Sequence, residues 1–277
     1  PVIFGGVNQV IPNSSIKYSR ICFRSQVSLR TKLIAHNAKL NSVARRFAGV
    51  YNFIATTSWF KTLIGVHPNR SLPSLNSTTL RQWFASYQQK EHAKKVYLFC
   101  DEYTNHYDVE IGKKSIILLN TLGYHVLMTA HSESARAYIS KGFLKQAKAI
   151  ATANIKTFYA LINTTTPLLG IEPSAILGFR DEYPNLVDPV LKPKAENLAK
   201  NVFTIEEFLA HEMKANTIVV SKFTTASKTI YYHGHCHQKA LSSNSYALTT
   251  LAIPANFTVQ TIDAGCCGMA GSFGYEK

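Results

Sequence analysis

The sequence predicts an α/β fold in which a basic, mainly helical segment precedes two tandem strand–helix–strand units, the second of them truncated. From about Lys95, buried-strand patterns alternate with helical patterns. The C-terminal segment then repeats the same pattern. Charge also divides the chain, because twelve Lys or Arg residues and no acidic residue precede Glu91. These observations predict boundaries at 1–90, 91–215 and 216–277.

Composition is that of a globular protein, with 46% hydrophobic and 17% charged residues among 277. No signal-peptide pattern and no long apolar run is present. The five cysteines are odd in number and irregular in spacing, which favours a reducing, cytoplasmic compartment. Cys22 and Cys100 are expected to be ordinary buried residues. Because the chain opens on Pro1 and stops in a glycine-rich motif, we expect it to be a fragment of a longer protein.

The basic segment contains an aromatic, amphipathic stretch at 47–66. Such a stretch can lie on an anionic membrane surface or bind an acidic partner. We favour a third interpretation, a connecting helical segment whose apolar face packs on other domains. No recognised DNA- or RNA-binding motif accompanies the charge, so a nucleic-acid partner is not predicted.

The first unit has a clear order of elements, and its strands are rich in β-branched and aromatic residues. Gly123 is placed to end the first long helix, and Thr204 with Glu207 has the spacing of a capping box. The predicted elements are strands at 95–103, 124–130 and 167–173, helices at 108–123, 143–162 and 204–213, and a polar loop at 131–142.

The second unit explains the spacing of three cysteines. Aligning the two units pairs Ile230 with Val96, Cys236 with Glu102, and Cys266 and Cys267 with Glu133 and Ser134, within one residue. About thirty residues separate Cys236 from Cys266, which is the length of one βαβ unit. If the strands are parallel, both loops leave the same edge of the sheet, where α/β proteins build ligand sites. We therefore expect Cys236, Cys266 and Cys267 to converge.

The surroundings of these cysteines favour chemistry at this edge. The histidines at 233, 235 and 237 flank Cys236 and are suited to lowering the pKa of its thiol. Glycines recur at every third position and permit the tight turn that adjacent cysteines need to serve one site; they are Gly265, Gly268, Gly271 and Gly274.

Several kinds of site remain open on this evidence. An iron–sulfur cluster accepts paired thiolates, and zinc accepts three cysteines with one histidine. A strained vicinal disulfide and simple packing in a turn are further alternatives. The histidines His233, His235 and His237 also resemble the HxHxDH box of metallo-β-lactamase-type hydrolases, although Cys236 stands where that box has aspartate.

At these residues a family resemblance appears. The segments "HGHCHQKAL" and "GCCGMAGSFGYEK" resemble the cysteine-rich CCG domain of iron–sulfur oxidoreductases. Together with "SKGFLKQAK" and "GIEPSAILGFRDEYP", they are more closely similar to the C-terminal part of large FAD-linked oxidases of the D-lactate dehydrogenase or glycolate oxidase type. The resemblance covers about residues 29–277. It implies two tandem Rossmann-like CCG repeats.

The resemblance also implies a chain of electron carriers. An N-terminal FAD domain would oxidise a 2-hydroxy acid, a ferredoxin-like segment would hold clusters, and the CCG repeats would pass electrons to a quinone or cytochrome acceptor, peripherally at the inner face of a membrane. By position, Cys236, Cys266 and Cys267 match ligands of a 4Fe–4S-type cluster, with zinc as the alternative. His233, His235, His237, Gly265 and Gly268 would line that cofactor.

The first unit departs from this pattern. It has Glu102, Glu133, Ser134 and the stretch 172–175 where the family has cysteines. Hard or neutral oxygen groups do not hold a sulfide cluster. We therefore expect the first unit to have lost its ligands and to serve as a packing partner of the second. A non-catalytic docking module remains the rival interpretation for the whole chain.

Overall fold

The computed structural model of the chain describes residues 27–265, 267–269 and 272–275. The expectations for Cys22, Cys266 and Gly271 therefore lie outside the described residues. The described strands are Lys94–Phe99 (β1), Tyr124–Leu127 (β2), Leu168–Gly170 (β3), Val202–Thr204 (β4), Lys228–Tyr232 (β5) and Phe257–Thr261 (β6).

Helices fill the segments before and between the strands. In the first 90 residues they are Leu29–Ala35 (α1), Asn37–Ala44 (α2), Ala48–Thr56 (α3), Ser58–Leu63 (α4) and Leu80–Ser86 (α5). Those that follow are Glu102–His106 (α6), Val109–Leu122 (α7), Arg136–Ser140 (α8), Leu144–Phe158 (α9), Pro173–Ile176 (α10), Glu182–Leu186 (α11), Lys192–Ala199 (α12), Ile205–Lys214 (α13), Cys236–Leu241 (α14) and Asn244–Leu251 (α15). Short 3₁₀ turns occur at Arg45–Phe47, Leu177–Phe179, Val220–Lys222 and Phe273–Tyr275.

The strands form two parallel sheets. The larger sheet has the order β2-β1-β3-β4, and every neighbouring pair in it is parallel. The smaller sheet consists of β5 and β6, which are also parallel. The predicted α/β class with a parallel sheet is confirmed.

Helices cover both faces of the larger sheet. On one face α5, α7 and α13 bury Val96 and Leu98 of β1, and on the other α9 and α12 pack around Phe99. A strand buried on both faces is typical of parallel sheets, and it explains the nearly continuous apolar run of β1. Cys100 lies in this core, as predicted, and burial raises the pKa of its thiol to about 12.

Local signals determine where several elements begin and end. Gly123 adopts a left-handed conformation (φ 103°) at the end of α7, so the chain turns directly into β2. The Thr204 side chain accepts a hydrogen bond from the backbone N–H of Glu207 and starts α13, as predicted. The polar loop predicted at 131–142 is wrong in part, because α8 lies within it. Strand β4 was missed.

The small sheet attaches to the larger one through helices. Ring contacts join α13 to α15, where the His211 and Tyr246 centroids lie 5.1 Å apart. The Thr250 hydroxyl donates to the Glu206 carbonyl at 2.9 Å. Near the end of the chain, the backbone N–H of His67 donates to the Tyr275 carbonyl at 2.8 Å. The segment after the cysteine pair is therefore fastened to the N-terminal helical part.

Candidate metal centre

Cys236 is positioned by the turn from β5 into α14. It is the first residue of α14, and the ring of His235 caps the helix by accepting from the His237 backbone N–H at 3.2 Å. Strands β5 and β6 are parallel, with Ile230 opposite Val259. The loops that follow them therefore leave the same edge of the small sheet, as the spacing of the cysteines predicted.

Hydrogen bonds join these two loops. The His233 ring nitrogen Nε2 lies 3.2 Å from the Gly265 carbonyl oxygen, and Lys239 donates to the Ala264 carbonyl at 3.4 Å. The segment leading to the cysteine pair is thus held against α14. Gly268 has a φ of 79°, which supplies the tight turn expected after that pair.

The described thiols of this region suit a soft metal group. Cys236 and Cys267 are both exposed at the loops that leave the sheet edge. Thiolate sulfur is the ligand that iron–sulfur clusters and structural zinc prefer. Within the described residues no group of three or more His, Cys, Asp or Glu is arranged to hold a metal ion. The predicted trio includes Cys266, so the ligand set stays a prediction.

The neighbouring histidines make contacts that sequence reasoning did not foresee. His235 Nε2 lies 3.5 Å from Glu172 Oε1, and His237 Nε2 lies 3.2 Å from Arg136 Nη1. Burial lowers the pKa of His235, against the opposing charge of Glu172. Of the three predicted cofactor-binding histidines, His233 faces the cysteine-pair loop. His235 and His237 face side chains at the starts of helices that follow the strands of the larger sheet.

The edge of the larger sheet at the ends of β1 and β2 holds oxygen groups. Glu102 is the first residue of α6, as Cys236 is of α14. Its two carboxylate oxygens accept from the backbone N–H of Ser134 at 2.8 Å and from the Ser134 hydroxyl at 2.7 Å. Val126 and Val259 hold the same register position in the two sheets, opposite Val96 and Ile230. When the sequences are aligned on these two valines, Cys267 falls at the position of Ser134.

Glu102 and Ser134 are both buried, and their polar groups are paired with each other. Glu102 is 4% exposed and Ser134 is 2% exposed. Burial raises the pKa of Glu102, whereas the hydrogen bonds from Ser134 act in the opposite direction. Such groups bind each other and offer nothing to sulfide-bridged iron. The donor set of the first unit does not fit a cluster.

The predicted stretch 172–175 is the start of a helix. The Glu172 carboxylate accepts from the Ala175 backbone N–H at 2.7 Å and from the Ser174 hydroxyl at 2.6 Å, capping α10. Its other oxygen faces His235. Glu172 therefore links the first sheet to the start of α14.

Asn154 was missed by sequence reasoning. It lies on α9 and is fully buried, and its side chain makes three hydrogen bonds, two of them to the loop after β2. Its side chain accepts from the Ser132 N–H at 3.0 Å, and it donates to the Glu133 carbonyl at 2.9 Å and to the Tyr183 hydroxyl at 3.0 Å. An asparagine inside an otherwise apolar and alanine-rich helical stripe was the available signal.

Two buried ion pairs flank α14. Arg136 pairs with Glu182, and Arg180 pairs with Glu207. Burial opposes ionisation of Glu182, but the hydrogen bond from His237 and the charge of Arg136 outweigh it and lower its pKa to about 2. Glu207 also accepts from the Ser242 hydroxyl at 3.0 Å, which replaces the second half of the predicted capping box.

The acidic edge of the larger sheet predicts a pH dependence of stability. Burial and the charge of Glu102 raise the pKa of Glu133 from 4.5 to about 7. The folded protein therefore holds this proton more tightly than the unfolded chain does. The stabilisation is complete below pH 4.5 and is lost as the pH rises to about 7.

In the wild type the free energy of unfolding, measured by urea unfolding, should fall between pH 5 and pH 8. The substitution Glu133→Gln should make this fall smaller, because glutamine does not titrate. Glu110→Gln is the control, because Glu110 is exposed and Lys113 lowers its pKa, placing its titration below this range. Equal pH slopes for the wild type and Glu133→Gln would contradict the assignment.

Comparison with known proteins places the chain near dehydrogenases. No protein-family model matches it, and no solved structure does. It is 26% identical to D-2-hydroxyglutarate dehydrogenase of Pantoea ananatis, over 83% of this chain and 23% of that protein. It is 23% identical to one of the subunits of anaerobic glycerol-3-phosphate dehydrogenase of Escherichia coli, over 98% of this chain and 68% of that polypeptide.

A third relative bears a different name. Lactate utilization protein A of an Exiguobacterium species is 27% identical over 59% of this chain and 66% of that protein. The chain thus spans about a quarter of the length of the matched D-2-hydroxyglutarate dehydrogenase and about two thirds of the other two relatives. Among the described residues, every helix is too short or too polar to cross a bilayer.

Proposed function

We propose that the chain is the electron-transfer portion of a flavin-linked 2-hydroxy-acid oxidoreductase, of the D-lactate or glycolate type. The observation that carries the proposal is the parallel pairing of β5 and β6, which sends the Cys236 loop and the Cys267 loop from one sheet edge. Similarity to dehydrogenases of hydroxy acids and of glycerol 3-phosphate supports the reaction class.

In this proposal Cys236, Cys266 and Cys267 hold an iron–sulfur cluster, and FAD belongs to the remainder of the enzyme. A cluster supplies one-electron transfer, with a potential set by hydrogen bonds and nearby charge. Oxidation of a 2-hydroxy acid to the 2-oxo acid releases two electrons and two protons. The electrons would leave through the cluster to a quinone or cytochrome acceptor, at the cytoplasmic face of a membrane.

The remaining residues would shape this path without making bonds. His233 and Lys239 hold the cysteine-pair loop by its backbone carbonyls. Gly265 has open space around the position of a side chain, and Gly268 provides the left-handed turn. These residues would fix the ligand loop and leave its edge open to a partner.

The test is anaerobic reconstitution of the chain with iron and sulfide. We expect bound iron and sulfide with visible absorption in the wild type, and their loss in Cys236→Ser and in the double variant Cys266→Ser/Cys267→Ser, because sulfur ligands are removed. Cys100→Ala is the matched control, since the Cys100 thiol lies in the core. Stoichiometric zinc without iron would overturn the electron-transfer role.

A docking module is the second candidate, and one observation favours it. The N-terminal helices expose large apolar side chains, which are Leu29, Leu40, Val43, Phe47, Val50, Phe53, Trp59 and Leu63. A concentration of exposed apolar residues in one segment favours a contact surface over a solvated one. If the reconstituted chain binds neither iron nor zinc, docking of the flavin-bearing part to a partner becomes the better account.

A further inference from the structure

We propose that Glu182 and Arg136 are positioning residues, which fix the N-terminal end of α14 and with it the orientation of Cys236. Both belong to the segments that follow the larger sheet, and neither is near the cysteines in sequence. The claim about α14 stands on contacts within the chain. Its redox consequence rests on the proposed function.

Helix α14 depends on its surroundings for its orientation. It has six residues, which is far too short to be stable alone, and it follows a strand of a two-stranded sheet. Contacts at its two ends must therefore hold it. At the N-terminal end His235, the residue before Cys236, faces Glu172 at 3.5 Å. His237, the residue after Cys236, lies 3.2 Å from Arg136 and 3.8 Å from Glu182.

The Arg136–Glu182 pair is itself held rigidly. Glu182 is 8% exposed and begins α11, next to the fully buried Tyr183. Arg136 begins α8, directly after the buried loop that contains Ser134. A pair anchored at two helix starts presents a fixed surface to His237.

The chain contains a matched pair for comparison. The side chains of Arg136 and Glu182 are 20% and 8% exposed, and those of Arg180 and Glu207 are 19% and 8% exposed. The second pair contacts Ser242, just after the opposite end of α14. The two pairs are alike in chemistry and burial and differ in which end of α14 they hold.

Electrostatics gives the first pair a second effect. In Glu182→Gln the positive charge of Arg136 loses its carboxylate while it still faces His237. Uncompensated positive charge near a cluster favours the reduced form, which carries one more electron. The reduction potential should therefore rise. Glu207→Gln removes the carboxylate that pairs with Arg180. Arg180 is at the opposite end of α14, so its charge should have a weaker effect on the reduction potential at Cys236.

The experiment compares Glu182→Gln, Glu182→Asp and Glu207→Gln in the full chain. Hydrogen exchange of the α14 amides is measured first, without any metal. We expect Glu182→Gln to speed exchange at the N-terminal end of α14 about tenfold, the loss of one charge-assisted contact. Glu207→Gln should act on the C-terminal end, and Glu182→Asp should restore most of the protection.

The second measurement is the reduction potential of the reconstituted chain, together with its iron content. Glu182→Gln should retain iron and shift the reduction potential upward, whereas Glu207→Gln should shift it less. The proposal would be overturned if the two Gln variants had the same pattern of hydrogen exchange in α14 and the same reduction potential. If the wild type binds no cluster, the proposed function is wrong. The difference in hydrogen exchange between Glu182→Gln and Glu207→Gln would still decide whether Glu182 positions α14.

Discussion

Replacing Asn154 with alanine is expected to lower the free energy of unfolding by about 3 kcal/mol. The substitution removes three hydrogen bonds and leaves the Ser132 N–H and the Glu133 carbonyl without partners beneath the loop after β2. Buried polar groups left unpaired cost more than the bonds themselves are worth. Urea unfolding followed by far-UV circular dichroism measures the effect.

Two further variants test the reason for this loss. Tyr183→Phe removes the hydroxyl that donates to the Ser134 carbonyl and receives from Asn154, so we expect a smaller loss of about 1 kcal/mol. Asn185→Ala removes an asparagine whose bond is exposed, and its effect should be within about 0.5 kcal/mol of zero. Similar losses for Asn154→Ala and Asn185→Ala would contradict the role assigned to Asn154.

Replacing Phe179 with alanine should have a larger effect, a loss of about 3 to 5 kcal/mol. Phe179 is fully buried, with ring centroids of Phe99 at 5.1 Å, Phe158 at 5.9 Å and Tyr183 at 4.5 Å. Truncation leaves a cavity among rings that β1, α9 and α11 hold in place. Differential scanning calorimetry should show the lowered transition.

The control for this truncation is Phe53→Ala on α3, because Phe53 is 73% exposed. It removes the same atoms without opening a cavity, so we expect a change within about 0.5 kcal/mol of zero. If Phe179→Ala lowers the free energy of unfolding no more than Phe53→Ala does, the aromatic cluster is not the centre of the core.

Sequence reasoning succeeded where a local signal determined the structure. The sequence predicted a helix at 108–123 that Gly123 ends, and both the helix and the turn into β2 are confirmed. The loops after β5 and β6 were expected to leave one sheet edge if the two strands were parallel, and the strands are parallel. Cys100 was expected to be buried because a free cysteine usually behaves as a small apolar residue, and it is buried.

It failed where contacts between distant segments decide. Strand β4 has only three residues and is defined by its pairing with β3. A segment this short has no hydrophobic periodicity from which a strand could be predicted. Helix α8 lies in a polar stretch and is held by the buried Tyr138, whose ring contacts His36 and Phe143. The direction of His235 and His237 depends on Glu172 and Glu182, which sequence alone could not place beside them.

The separation of β5 and β6 from the larger sheet has a consequence for the history of this molecule. A ribbon of only two strands does not persist alone in water. Its helices rest on α10 and α13, so deleting the half that contains the larger sheet would leave the half that bears Cys236 and Cys267 with no surface to fold upon. Selection can therefore preserve the half that contains the larger sheet for the shape that it imposes on its neighbour.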